Sequence, residues 1–123
     1  MITMERQYDT YGFRGVTLEE AASRVQQALD IQLKERDSGY YAGTYFLYRI
    51  ASSREMRLYK NYDALRDGWV REQYRGYDVI LEVSDMNGME GIRQELVNGP
   101  PAAFLLASKV LPAESNDESE VDE

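Results

Sequence analysis

Carboxylates are the only side chains in this chain that could move a proton near neutral pH. Aspartate and glutamate number 22, while histidine and cysteine are both absent. Without histidine the commonest general base and the commonest metal ligand are missing together. Without cysteine there is no nucleophilic dyad of the usual kind and no thiolate metal site. What remains for acid–base work is a pair of carboxylates in one cleft with separated proton affinities. Glu82 with Asp85, and Asp63 with Asp67, have the spacing for such pairs. With 22 acids in 123 residues these proximities arise by chance, and their plainer reading is solvated surface. The run Asp85-Met86-Asn87-Gly88 looks like the opening of a calcium loop, but the later oxygen ligands and the terminal glutamate are missing. Helix capping explains it better, and no glycine-rich phosphate loop is present. No cofactor, no metal and no catalysis are expected.

The elements that must position any functional side chain follow from periodicity. VTLEEAASRVQQALD reads as a helix opened by a capping box, Thr17 with Glu20, and its apolar stripe is Leu18, Ala21, Ala22, Val25, Ala28 and Leu29. IQLKER alternates Ile31 and Leu33 with polar residues, as a half-buried strand does. YYAGTYFLYRI and EMRLYKNY form a hairpin across the turn ASSR, and YDVILEVS is a further strand with Val79, Leu81 and Val83 on one face. Asn87 caps a second helix with Glu90 at its third position; Met89, Ile92, Leu96 and Val97 face inward, and Gly99-Pro100-Pro101 stops it. AAFLLASKVL is uninterrupted in its apolar run, so it is expected as a buried closing strand. The fold predicted is α+β: a mostly antiparallel sheet of about five strands with two helices on one face. The other face is then left to Tyr, Arg, Lys and Glu side chains, the mixture found on protein-binding surfaces.

Charge divides the chain unevenly. There are 14 bases against 22 acids, a net of −8. Six of the acids lie in AESNDESEVDE, which has no base; 22 less six leaves 16 against 14, so residues 1–112 are a single domain near −2. Residues 113–123 read as a disordered acidic tail, an aid to solubility or an anion that speeds encounter with a cationic partner. No basic stripe is read that would neutralise phosphates, so direct binding of nucleic acid is not expected. No apolar run nears the ~20 residues of a membrane helix, the start lacks the pattern of a signal peptide, and zero cysteines fits a reducing compartment. The reading is a cytoplasmic protein, off the membrane, as a monomer or weak dimer.

Tyrosine is the distinctive supply, with ten against three phenylalanines. A phenol buries apolar area and keeps a polar tip, which suits a surface that is wet at times and covered at others. Residues 63 to 76 exceed the usual connection of ~4–6 residues, and long ordered loops in small domains often carry function. The loop holds the only tryptophan, Trp69, among charges. The expectation is indole inward as an anchor, charges outward as a binding edge. The candidate partner-binding residues are Tyr62, Asp63, Asp67, Trp69, Arg71, Glu72 and Tyr74, with Tyr48 and Tyr59 behind them.

The order of these segments, TLEEAASRVQQAL, then SGYYAGTYFLYR, EMRLYKNYD opening into a loop with DGW, DVILEVSD and IRQEL, resembles the immunity proteins of bacterial polymorphic-toxin systems, including those of contact-dependent growth inhibition. The resemblance covers roughly residues 10 to 111 and is one of pattern. It implies a cytosolic protein that binds a cognate toxin's C-terminal domain, in many cases a nuclease, and blocks its active site or substrate access. It carries over no functional residue by position. The alternative from the residues alone is a small-molecule-binding or regulatory domain without catalysis.

Overall fold

Thr17 opens the first helix as its sequence predicts. The Thr17 hydroxyl accepts the Glu20 amide at 3.0 Å and the Glu20 carboxylate accepts the Thr17 amide at 2.8 Å. In the computed structural model, which describes residues 5–50, 54–85, 90–98 and 101–112, this helix is α1 (Leu18–Leu29). Its stripe Leu18, Ala21, Ala22 and Val25 is buried, with Ala28 and Leu29 packed at the margin of the same core. Asp30 ends the helix in the left-handed region at φ 54°, a conformation that aspartate tolerates better than most residues.

The strands are β1 (Glu5–Phe13), β2 (Lys34–Ser38), β3 (Gly43–Ile50), β4 (Arg54–Lys60), β5 (Tyr62–Asp63), β6 (Gly68–Trp69), β7 (Val79–Asp85) and β8 (Phe104–Pro112). Six of them form one sheet in the order β2-β3-β4-β7-β1-β8, with each neighbouring pair antiparallel; β5 and β6 form a separate two-stranded hairpin. The fold is α+β, with both helices on one sheet face. The strand of the large sheet absent from the sequence reading is β1, which lies between β7 and β8. Its inward positions run Gln7, Asp9, Tyr11, Phe13, so half of them are polar and the apolar alternation is diluted.

The core lies between this sheet face and the helices. Tyr11 and Phe13 of β1, Met56 and Leu58 of β4, and Val79, Leu81 and Val83 of β7 meet the α1 stripe. The second helix, α2 (Glu90–Val97), adds Ile92 and Leu96; Val97, expected inward, is instead 36% exposed. Asn87, Met89, the turn at 51–53, the stop at 99–100 and the acidic segment 113–123 lie outside the described residues. Arg24, on the polar flank of α1, donates to the carbonyls of Glu95 at 2.7 Å and Pro101 at 3.0 Å. That supplies donors for carbonyls a helix C-terminus leaves without partners.

Two strands differ from expectation in ways that matter below. β8 is an edge strand, not a buried one: Phe104, Leu105, Val110 and Leu111 are all at least 38% exposed. The opposite edge, β2, reads KERDS and is charged along almost its whole length. The strand IQLKER begins its pairing at Lys34, while Leu33 enters the core and Ile31 packs at its margin. Among the described residues no helix is long and apolar enough to cross a membrane.

Candidate partner-binding face

Alternation along the strands decides what the uncovered face of the sheet carries. Cross-strand register aligns Lys109, Tyr8, Ser84, Glu55 and Arg49 in one row across β8, β1, β7, β4 and β3. The next row is Ala107, Thr10, Glu82, Arg57, Leu47 and Lys34, and the one after it runs Gly12, Ile80, Tyr59, Tyr45 and Arg36. Arg6, two residues before Tyr8, shares the face and donates to the Ser84 hydroxyl at 3.0 Å.

The third row is covered. Tyr41, set on a single helical turn at Gly39–Tyr41, stacks on Tyr59 at 4.7 Å and leans on Tyr45 at the same distance. At the β1 end Tyr77 lies over Gly12 and beside Phe104, with the Arg14 guanidinium 4.3 Å above its ring. Gly12 is required there: a Cβ on it would stand 2.6 Å from a Tyr77 ring carbon. The first two rows remain open as a trough of about 600 Å³ between strand side chains and the overhanging loop.

That loop is held by Asn61, which is fully buried. Its amide Nδ2 donates to the Tyr74 carbonyl at 3.0 Å, and its Oδ1 accepts the Arg71 N–H at 2.8 Å. Its backbone accepts from Val70 and donates to Asp78. Arg71 is thereby delivered over the sheet, where Nη2 sits 2.9 Å from Glu82 Oε2. Tyr59 donates its hydroxyl to that same oxygen at 2.6 Å. Burial, then the Glu82 charge and this hydrogen bond, push the Tyr59 phenol far above its ordinary value. Glu55 is shared between Arg49, at 3.1 Å, and Arg57. Both acids of the open face are thus matched, and the bases outnumber them: Lys34, Arg36, Arg49, Arg57, Arg6, Lys109 and Arg71 against Glu55 and Glu82. An acidic chain carries a basic sheet face.

No family model, curated protein or solved structure matches this chain.

The sequence candidates fall in three places. Tyr62, Asp67 and Trp69 come together on the β5–β6 hairpin, where Tyr62 meets Trp69 edge-on at 5.4 Å and gives its hydroxyl to Asp67. That hydrogen bond, ahead of any burial, raises the Tyr62 phenol. Trp69 is half-buried against Tyr62, and the fully buried side chain in the loop is Asn61. Asp67 takes φ 52°, the strained corner of this hairpin. Asp63 is 8% exposed and turned into its own loop, accepting the Leu65 amide at 3.0 Å with Arg66 nearby. Arg71 turns onto the sheet rather than outward, while Glu72 is exposed and paired with Arg75. Tyr74 is half-buried and serves through its carbonyl.

Tyr48 and Tyr59 do not stand together behind the loop. Tyr48 packs against the core on the helix-covered face, whereas Tyr59 lies on the open face at 1% exposure. A phenol that buried supports Glu82 and cannot touch a partner. Sequence reasoning missed Asn61, Tyr8, Arg57 and Lys109. The last two were legible in principle, because bases at alternate strand positions converge on one face once register is known.

Of the carboxylate pairs weighed as acid–base candidates, Glu82 and Asp85 point to opposite sheet faces, with Asp85 2.5 Å from Arg54 Nε. Asp63 and Asp67 have separate partners on the hairpin.

Proposed function

We propose that this chain is an immunity-type protein that binds and neutralises a cognate bacterial toxin domain, using the open sheet face and the loop that overhangs it. The observation that carries the reading is the buttressed loop. One buried side chain, Asn61 at the start of the loop, ties down its return at Arg71 and Tyr74, so Arg71, Trp69 and Asp67 are presented on a firm base. Preorganised surfaces of this kind lose little ordering entropy on association. Tyr8, Arg57 and Thr10 continue the surface across the sheet. The mixture of tyrosine, arginine and carboxylate fits anchors of a protein interface, which for a stable complex buries about 1,200–2,000 Å².

Blocking an active site or its substrate path needs shape and charge matched to the toxin and no turnover by the inhibitor. The test is capture by the purified chain of the toxin domain encoded beside it, with toxicity rescued on co-expression. Asp67→Ala with Trp69→Ala, and separately Arg57→Ala, are expected to weaken capture at least tenfold while circular dichroism is unchanged. Equal capture by all three proteins would remove this face from the interaction, and absence of a neighbouring toxin gene would remove the function.

A further inference from the structure

The charge segregation on the sheet raises a question the toxin reading does not answer: what covers a basic face on a chain of net −8? We propose that residues 113–123 of this same chain, AESNDESEVDE, dock across the open trough as an intramolecular acidic strap.

Three observations carry it. The first is complementarity. The segment holds Glu114, Asp117, Glu118, Glu120, Asp122 and Glu123 and no base. The open face presents Arg6, Arg57, Arg71 and Lys109 around the trough, and the three carboxylates that line it, Glu55, Glu82 and Asp9, each already have an arginine partner.

The second is the point of attachment. Pro112 pairs with Glu5 at the last rung of β8, and Leu111 pairs with Arg6. The segment therefore starts near Arg6, four residues after Lys109. This is the end of the sheet where the trough is open, away from the rows roofed by Tyr41 and Tyr77.

The third is reach. Crossing from β8 through β1 and β7 to Arg57 on β4 takes three strand spacings, about 14 Å. Eleven residues extended span up to about 36 Å, so the segment has ample length. A tether this short holds its charges at an effective concentration of order millimolar, enough for weak ion pairs to populate the contact. Because the pairs are exposed, salt weakens them.

Occupied in this way, the face would be shielded from stray anions. A partner would gain access by displacing the segment, which is an autoinhibitory contact.

The absence of cysteine makes the test clean. A nitroxide placed on full-length Ser119→Cys is read through broadening of backbone amide signals at 50 mM and 500 mM salt. The expected result is at least a twofold intensity loss at Tyr8, Ser84 and Arg57 at low salt, recovering at high salt. The loss should be abolished in Arg57→Gln/Lys109→Gln, and equally in Glu118→Gln/Glu120→Gln/Asp122→Asn, which leaves every strand residue intact. Broadening confined to residues beside Pro112 and insensitive to salt would overturn the proposal. Broadening that disappears on dilution with unlabelled protein assigns the contact to a second copy and overturns it too. Unbroadened trough signals that shift on adding a ten-nucleotide oligothymidylate would replace the strap with a nucleic-acid surface.

Discussion

Asn61 Nδ2 lies 3.0 Å from the Tyr74 carbonyl, thirteen residues further along the chain, and that one bond closes the loop. The same buried side chain accepts the Arg71 amide. Removing it orphans the Arg71 amide and takes one of two donors from the Tyr74 carbonyl, which keeps the Tyr77 amide at 3.1 Å. Asn61→Ala should therefore cost about 2–3 kcal/mol in urea unfolding. It should also open the loop to trypsin at Arg66 before the domain unfolds. Asn61→Asp, which sets a carboxylate against the Tyr74 carbonyl at a fully buried site, should cost at least as much.

Asp9 is a buried carboxylate with four partners: Arg93 at 2.9 Å, the Ser108 hydroxyl at 2.6 Å, the Tyr11 hydroxyl at 3.1 Å and Gln7 at 3.3 Å. It joins β1, β8 and α2 at one point. Stripping a buried pair of one member costs more than the pair contributes, but Arg93 keeps 31% exposure and can regain water. Asp9→Ala should cost about 2–3 kcal/mol by chemical denaturation, and Arg93→Ala more, because it leaves a fully buried carboxylate without its counter-charge.

Gly12 has no room for a methyl group, with Tyr77 and Leu106 side-chain carbons 2.6 and 2.8 Å from where Cβ would stand. Gly12→Ala must displace the Tyr77 ring from the sheet, at about 1–3 kcal/mol. The tyrosine fluorescence and near-ultraviolet circular dichroism should change with it, and Gly12→Ala/Tyr77→Ala should recover part of the loss.

Alkaline pH should weaken the fold through Tyr59 and Tyr11. Burial first, then the Glu82 or Asp9 charge and hydrogen bond, raises each phenol far above its ordinary 10.0, with Arg71 and Arg93 opposing in part. An unfolded chain releases these protons near pH 10 while the native state keeps them, so the native state binds more protons and stability falls as pH rises. The contribution is complete below about pH 10 and is lost above it, at up to about 1.4 kcal/mol per pH unit for each ring. Urea titrations at pH 8, 10 and 11 measure the slope. Tyr59→Phe should flatten it and leave stability at pH 8 less affected.

How far the sequence could be read depended on whether pattern or partner decides a residue's place. The α1 stripe, its capping box and the hairpin of β3 and β4 obey local periodicity, and they stand where periodicity puts them. β1 escaped because its inward row includes Gln7 and Asp9, whose burial depends on Arg93 and Ser108, distant in sequence. β8 has the composition of a buried strand and lies at an edge, since strand order is set by long-range pairing and not by local composition. Trp69 drew attention as the rarest residue of the loop, yet the anchoring falls to an asparagine whose hydrogen bonds no composition reveals. The basic face was hidden in the same way: Lys34, Arg57 and Lys109 share a surface only through register.

The place of β1 has a consequence for biosynthesis. It is made before both of its neighbours, since its two hydrogen-bonding flanks belong to β7 and β8, at Val79–Asp85 and Phe104–Pro112. A nascent chain halted before Phe104 has one bare flank on Glu5–Phe13, and Asp9 there lacks Ser108. Completion of the sheet therefore waits for the last-made strand, and such stalled chains should stay open to protease until release.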